Sequence, residues 1–195
     1  GWLSLKLFKW GYEVVGIDIS PKMVNNAKLI CPEADFVVAD GENLPFKDNI
    51  FDYVIGVSIL HHISNLRQAL LELRRIMVDG CGFMFMEPNM LNPISAIGRR
   101  IFPMEVHTKG EKQFTPMSLE DILKPFGFKV KNRIMLFLIA FPLARLFKIL
   151  RKNIDQFLVR FLYVFELSME KNMLMRYLNS TIIVSGLLDK TVDFL

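Results

Sequence analysis

Cysteine is scarce in this chain. Cys31 and Cys81 are its two cysteines in 195 residues and lie fifty positions apart, which fits neither a disulfide framework nor a zinc knuckle. A reducing cytoplasm is the expected compartment. Long apolar runs are missing too. The stretch Ile134 to Ala144 is eleven residues long and is closed by Arg145 and Lys148, whereas a spanning helix needs roughly 20. The opening GWLSLKLFKWGYEV has no basic-then-apolar signal with a small-residue cleavage site and no initiator methionine. Only three histidines occur, none at metal-ligand spacing from a second ligand, so no metal is expected. There is no internal repeat and no low-complexity tract.

What is present suits a folded domain. With 52% apolar and 23% charged side chains, the chain can bury a sizeable core. Its charge is uneven. Between Lys129 and Arg176 there are ten Lys/Arg against three Asp/Glu, a net +7, and the remainder of the chain carries net −3. The basic segment is also rich in Phe, Leu, Ile and Met. Two roles fit it: peripheral contact of 134–176 with an anionic membrane surface, or a helical lid with solvated charges. Its basic residues are interleaved with aliphatics, without an aromatic platform or a phosphate-binding loop, so nucleic acid is not expected as a partner.

The pattern alternates strands with helices. Leu3 to Trp10 has near-helical apolar spacing and stops at Gly11. Glu13 to Ile17 is uniformly apolar after its glutamate, as a strand buried on both faces would be. Ser20-Pro21 places a capping residue before a proline at the first helical position and opens Pro21 to Leu29. Asp35 to Ala39 and Phe51 to Val57 read as strands, separated by a loop with Pro45 and Asp48-Asn49. Leu66, Ala69, Leu70, Leu73 and Ile76 make an amphipathic helix expected to close near Asp79-Gly80, and Cys81 to Met86 is the next strand. Farther on, a short helix is expected around Ile94 to Ile101. Another, from Ser118 to Phe126, would have Ser118 as N-cap and Asp121 in its first turn. GFKVKNRI reads as a strand, Met135 to Tyr177 as helices broken at Pro142, and Thr181 to Gly186 as the last strand. This order predicts an α/β fold, doubly wound around a mostly parallel sheet.

Two carboxylates, Asp18 and Asp40, close successive strands in EVVGIDIS and DFVVADGE. Ligands of open α/β sheets bind at that edge. A nicotinamide-dependent dehydrogenase also places an acid there for ribose hydroxyls. Asp52 starts its strand, opposite the binding edge, and is read as structural.

The runs VVGIDISPKMV, FVVADGENLPFKDNIFDYVIGVSILHHI and ALLELRRIMVDGCGFMFMEPN resemble the class I S-adenosylmethionine-dependent methyltransferases, in their small-molecule branch. The resemblance covers Gly1 to about Asn89 closely and the rest more weakly. It implies a Rossmann-like fold in one domain, 1–195. Within it, 1–89 is the cofactor-binding half, 90–133 the acceptor side, 134–178 a helical insertion, and 179–195 the last strand and tail. It implies S-adenosylmethionine as cofactor. Asp18 would accept from the ribose hydroxyls, Ile19 would pack on the adenine, and Asp40 with Gly41 would meet the adenine amino group. Val57 and Ser58 would lie near the methionine portion. His61, His62 and His107 are candidate acceptor-side residues, able to take a proton from a hydroxyl nucleophile. The acceptor implied is a small molecule, and the greasy, basic stretch suggests a lipid or quinone precursor.

The family's D-x-G-x-G-x-G loop is represented by its last glycine, Gly1, and the first strand is missing. The chain is therefore expected to be an N-terminally truncated fragment that binds cofactor weakly, with its second and fourth strands deprived of a shared neighbour. The alternative is a non-catalytic Rossmann-like scaffold whose basic C-terminal region binds a membrane or partner.

Overall fold

A computed structural model describes residues 1–92, 114–136 and 181–192, with the side chains of 135 and 136 left out. Helix α1 (Trp2–Lys9) is followed by Gly11 at φ +89°, a left-handed turn that a glycine makes without strain. Strand β1 (Val15–Asp18) then leads into α2 (Pro21–Ile30). The start of α2 is as its sequence predicts: Ser20 Oγ accepts from the Met23 N–H at 3.4 Å and Pro21 occupies the first turn. There follow β2 (Asp35–Val38), β3 (Phe51–Val57), a 3-10 turn (Leu60–His62), α3 (Leu66–Ile76) and β4 (Met77–Pro88). The last described elements are α4 (Pro116–Leu123), a 3-10 turn (Lys124–Phe126), β5 (Phe128–Leu136) and β6 (Thr181–Leu188). The helices expected around 94–101 and within 135–177 lie outside the described residues.

The strands form two sheets. β1 and β2 pair in parallel, Val15 opposite Asp35 and Asp18 opposite Val38. The other sheet runs β3-β4-β6-β5, with β3 and β4 parallel and β6 antiparallel to both β4 and β5. Among the described residues β1 and β3 are thus each an edge, and two separate apolar clusters match the two sheets. The larger one joins Leu66 and Leu70 of α3, Phe83 and Phe85 of β4, Leu119 and Leu123 of α4, Phe128 of β5, and Ile182 and Val184 of β6. The smaller joins Val24 and Ala27 of α2 and its C-cap Cys31 to Ala34 and to Phe36 of β2. Both cysteines are buried free thiols, and burial pushes the Cys81 thiol up to about 11.

Three expectations need correction. β1 is not buried on both faces: Val15 is 38% and Ile17 41% exposed, because among the described residues β1 pairs on one side only. α3 does not close near Asp79-Gly80 but ends at Ile76 and runs straight into β4. Asp79 and Gly80 instead make an irregularity inside that strand. The ladder steps from Phe51–Met77 to Tyr53–Gly82, and Gly80 turns at φ +74°. Finally, α4 is capped by Thr115, not Ser118. Thr115 Oγ1 accepts from the Ser118 N–H at 3.1 Å, and Ser118 Oγ accepts from the Thr115 N–H at 2.8 Å, a reciprocal capping box behind Pro116. Asp121 therefore lies in mid-helix.

An ion pair on α3 fastens the long loop after β2. Glu72 accepts from the Leu44 N–H at 2.8 Å and takes two bonds from Arg75, while Arg75 also donates to the carbonyls of Leu44 and Phe46 and to Asp48. The Arg75 guanidinium holds the Glu72 carboxyl below its ordinary value. A carboxylate lowered by folding stabilises the fold above its unfolded pKa and loses that contribution as pH falls through its folded value. Glu72→Gln is therefore expected to cost about 2 kcal/mol at neutral pH. The difference from wild type should shrink as pH falls below roughly 4.3, the ordinary glutamate value. Urea unfolding of both proteins at neutral and acid pH measures this; a gap unchanged by acid would contradict it.

Candidate functional site

The site is built at the carboxyl ends of β1 to β4. Asp18 ends β1 and is half-buried; its Oδ1 accepts from the Ser20 N–H at 2.8 Å, which sets the turn into α2. Asp40, two residues past β2, repeats the device, with Oδ1 accepting from the Glu42 N–H at 2.9 Å. Each carboxylate is thus steered by its own backbone, and among the described residues each keeps Oδ2 without a partner. Parallel pairing brings the two together, and the Ala39 N–H donates to the Asp18 carbonyl at 3.1 Å. Ile19, next to Asp18, is 68% exposed, an apolar surface at this edge.

The loops after β2 and β3 are tied to one another. Glu42 Oε1 accepts from the Asn65 N–H at 2.8 Å, and a side chain at Gly41 would meet Ile63 at 3.6 Å. This link brings Val57, Ser58 and the histidine turn to the same edge as Asp40. Val57 is exposed at the end of β3. Ser58 has φ +50°, a left-handed conformation uncommon for a residue with a side chain, and its N–H donates to the Met86 carbonyl at 2.7 Å.

Beyond Ser58 stands a group that sequence reasoning missed. Glu87, near the end of β4, is fully buried. Its Oε1 accepts from the N–H groups of Ile59 at 3.0 Å and Leu60 at 2.8 Å, and its Oε2 lies 2.6 Å from His61 Nδ1. The His61 and His62 ring centroids lie 3.9 Å apart, with the rings tilted by 43°. The available signal was an acid closing the apolar run CGFMFM; its partners, 26 to 28 residues away, were not readable from spacing.

One candidate residue is not brought to this group. Gly1 caps α1 and packs on α2, where an added Cβ would stand 2.9 Å from Ile30 and 3.0 Å from Ala27. That contact lies toward the far end of α2 from Ser20, roughly 15 Å along the helix. His107 lies outside the described residues. Asp52 is exposed at the start of β3, at the opposite edge. An open cleft of about 480 Å³ between Val15, Lys28, Phe36 and Phe46 opens near the strand starts, away from the carboxylates. Among the described residues no three His, Cys, Asp or Glu side chains converge as metal ligands, and no helix is long and apolar enough to cross a membrane.

Residues 1–85 match the family model described as a methyltransferase domain. This segment is similar to the methyltransferase-domain family. Its matched span contains Asp18, Ile19, Asp40, Gly41, Val57, Ser58, His61 and His62, and stops two residues short of Glu87. The chain is similar to the demethylmenaquinone methyltransferase of Thermotoga maritima, 35% identical over 65 residues, covering 33% of this chain and 28% of that protein. It is also similar to the tRNA (carboxymethyluridine(34)-5-O)-methyltransferase of Saccharomyces cerevisiae, 33% identical over 64 residues, covering 33% of this chain and 23% of that protein. The chain thus spans less than a third of the length of these curated relatives. Among solved structures, a SAM-dependent methyltransferase of Thermotoga maritima, titled a possible histamine N-methyltransferase, superposes with a TM-score of 0.62 at 18% identity. The match covers 89% of this chain and 72% of that one. The chain therefore has the α/β, Rossmann-like fold expected from its sequence.

Proposed function

We propose that this chain is the cofactor-holding part of an S-adenosylmethionine-dependent methyltransferase acting on a small, apolar acceptor. One observation carries the reading. Within the segment that matches the family, Asp18 and Asp40 each spend one oxygen on their own turn and hold the other free at the strand ends. Such an arrangement fits a nucleoside: Asp18 Oδ2 can accept from ribose hydroxyls, Asp40 Oδ2 from an exocyclic amine, and exposed Ile19 gives a flat base an apolar face. Bound S-adenosylmethionine would supply a methyl group already activated on a sulfonium sulfur. The protein's share is then to orient the acceptor and exclude water, worth up to about 7–11 kcal/mol. It must also remove the acceptor's proton, and His61 and His62 stand at the correct edge for this.

In this reading one further parallel strand completes the sheet between β1 and β3. The free edges of both strands and the open faces of Val15 and Ile17 support it. The apolar, basic stretch 134–176 and a relative named for demethylmenaquinone support a lipid-like acceptor. Incubation with methyl-labelled S-adenosylmethionine and a cell extract tests the acceptor class. Label is expected in organic-extractable small molecules; label confined to RNA or to the aqueous phase would contradict that class.

A further inference from the structure

We infer that Glu87 is a positioning residue that locks the tautomer of His61 and leaves Nε2 as the ring atom able to take a proton. The inference rests on the methyl-transfer reading for its purpose, but its geometry stands by itself. A fully buried carboxylate is costly unless every oxygen is paired. Glu87 meets that requirement with three donors: the Ile59 and Leu60 N–H groups on Oε1, and the His61 ring on Oε2 at 2.6 Å. An ionised carboxylate only accepts, so the ring must donate from Nδ1. That places the proton on Nδ1 in the neutral ring and the lone pair on Nε2, which has no hydrogen-bond partner among the described residues.

The same carboxylate holds the backbone under the ring. After Ser58 turns at φ +50°, the next two N–H groups both point at Glu87, so the 3-10 turn carrying His61 is anchored at its first residue. Capping that turn would require only Oε1. The use of Oε2 on the ring is what distinguishes orientation of His61 from mere support of the loop. His61 keeps 12% of its side-chain surface exposed, while Glu87 keeps none. As an acceptor hydroxyl is methylated, its O–H bond breaks while an N–H bond forms on Nε2. The imidazolium, stabilised by Glu87, later gives that proton to water.

Nitrogen NMR of the full chain labelled with 15N-histidine tests this. Only three histidines occur, and His61→Asn identifies the relevant resonance by its loss. At about pH 8.5, where an ordinary imidazole is neutral, His61 is expected to carry its proton on Nδ1. In Glu87→Gln the amide oxygen can keep both backbone donors while the amide nitrogen donates to Nδ1, so the proton is expected to move to Nε2. A wild-type ring protonated on Nε2 would overturn the inference without any variant, as would a Glu87→Gln ring still protonated on Nδ1. Titration of S-adenosylhomocysteine into the same sample separates the two readings. A tautomer switch in a protein that ignores this ligand would retire the cofactor assignment and still support the Glu87–His61 lock.

Discussion

Asp18→Ala is expected to weaken S-adenosylhomocysteine binding by about 100-fold, the loss of one or two hydrogen bonds to a charged acceptor at roughly 1.5–3 kcal/mol each. The carboxylate has two tasks at the end of β1. Oδ1 accepts from the Ser20 N–H at 2.8 Å and so shapes the entry to α2, while Oδ2 is open to ligand hydroxyls. Asp18→Asn separates them, because an amide oxygen can still accept from Ser20 but the charge assistance is gone. About a tenfold loss is expected there. Calorimetric titration of the three proteins measures the series, and equal affinity throughout would remove Asp18 from the site.

The largest expected effect on folding comes from Gly186→Ala. A Cβ at this position would stand 1.8 Å from the Lys129 carbonyl oxygen and 3.0 Å from Val130 Cα. Both are backbone atoms of the neighbouring strand, so nothing can rotate away. The pairing of β5 with β6 already shifts between Val130 and Asn132, beside this contact. Separating them would disturb the cluster of Phe128, Ile182 and Val184 beneath. A cost above about 3 kcal/mol is expected, a large share of the 5–15 kcal/mol typical of a domain. Gly82→Ala is the comparison. There a Cβ meets the ring of half-exposed Tyr53, which can swing aside, and about 1 kcal/mol is expected. Urea unfolding ranks the two, and equal midpoints would contradict this account of the β5–β6 approach.

Local signals were readable where chemistry is local. Ser20 before Pro21 located the start of α2, and the β-branched, apolar run Phe51–Val57 matched its strand residue for residue. The cap of α4 was misjudged because Thr115 and Ser118 are both capping residues, three apart. Pro116 selects Thr115, since proline suits the first helical turn. Asp79-Gly80 has the composition of a turn and forms instead an irregularity within β4, a choice made by pairing with β3. The exposure of β1 depends on which strands flank it, which its own apolar residues cannot express.

The site divides in the same way. Asp18 and Asp40 could be placed because each sits at the end of its own strand and is held by an N–H two residues on. Glu87 could not, because its partners come from the loop after β3 and are assembled only when β3 and β4 pair. His61 was singled out by its position past β3, but what fixes its ring lies 26 residues away. The link between Glu42 and Asn65, which unites the two loops, is likewise tertiary.

The most direct test is an amide NMR titration of S-adenosylhomocysteine into this chain, since amide shifts respond even to weak binding and report its location. Perturbation centred on Ile19, Ser20, Gly41, Ser58 and Ile59 is the expected result, with the amides of Lys28, Phe36 and Phe46 unmoved. A folded spectrum that does not respond, or shifts confined to that second region, would contradict the assignment of the strand-end carboxylates as a nucleoside site.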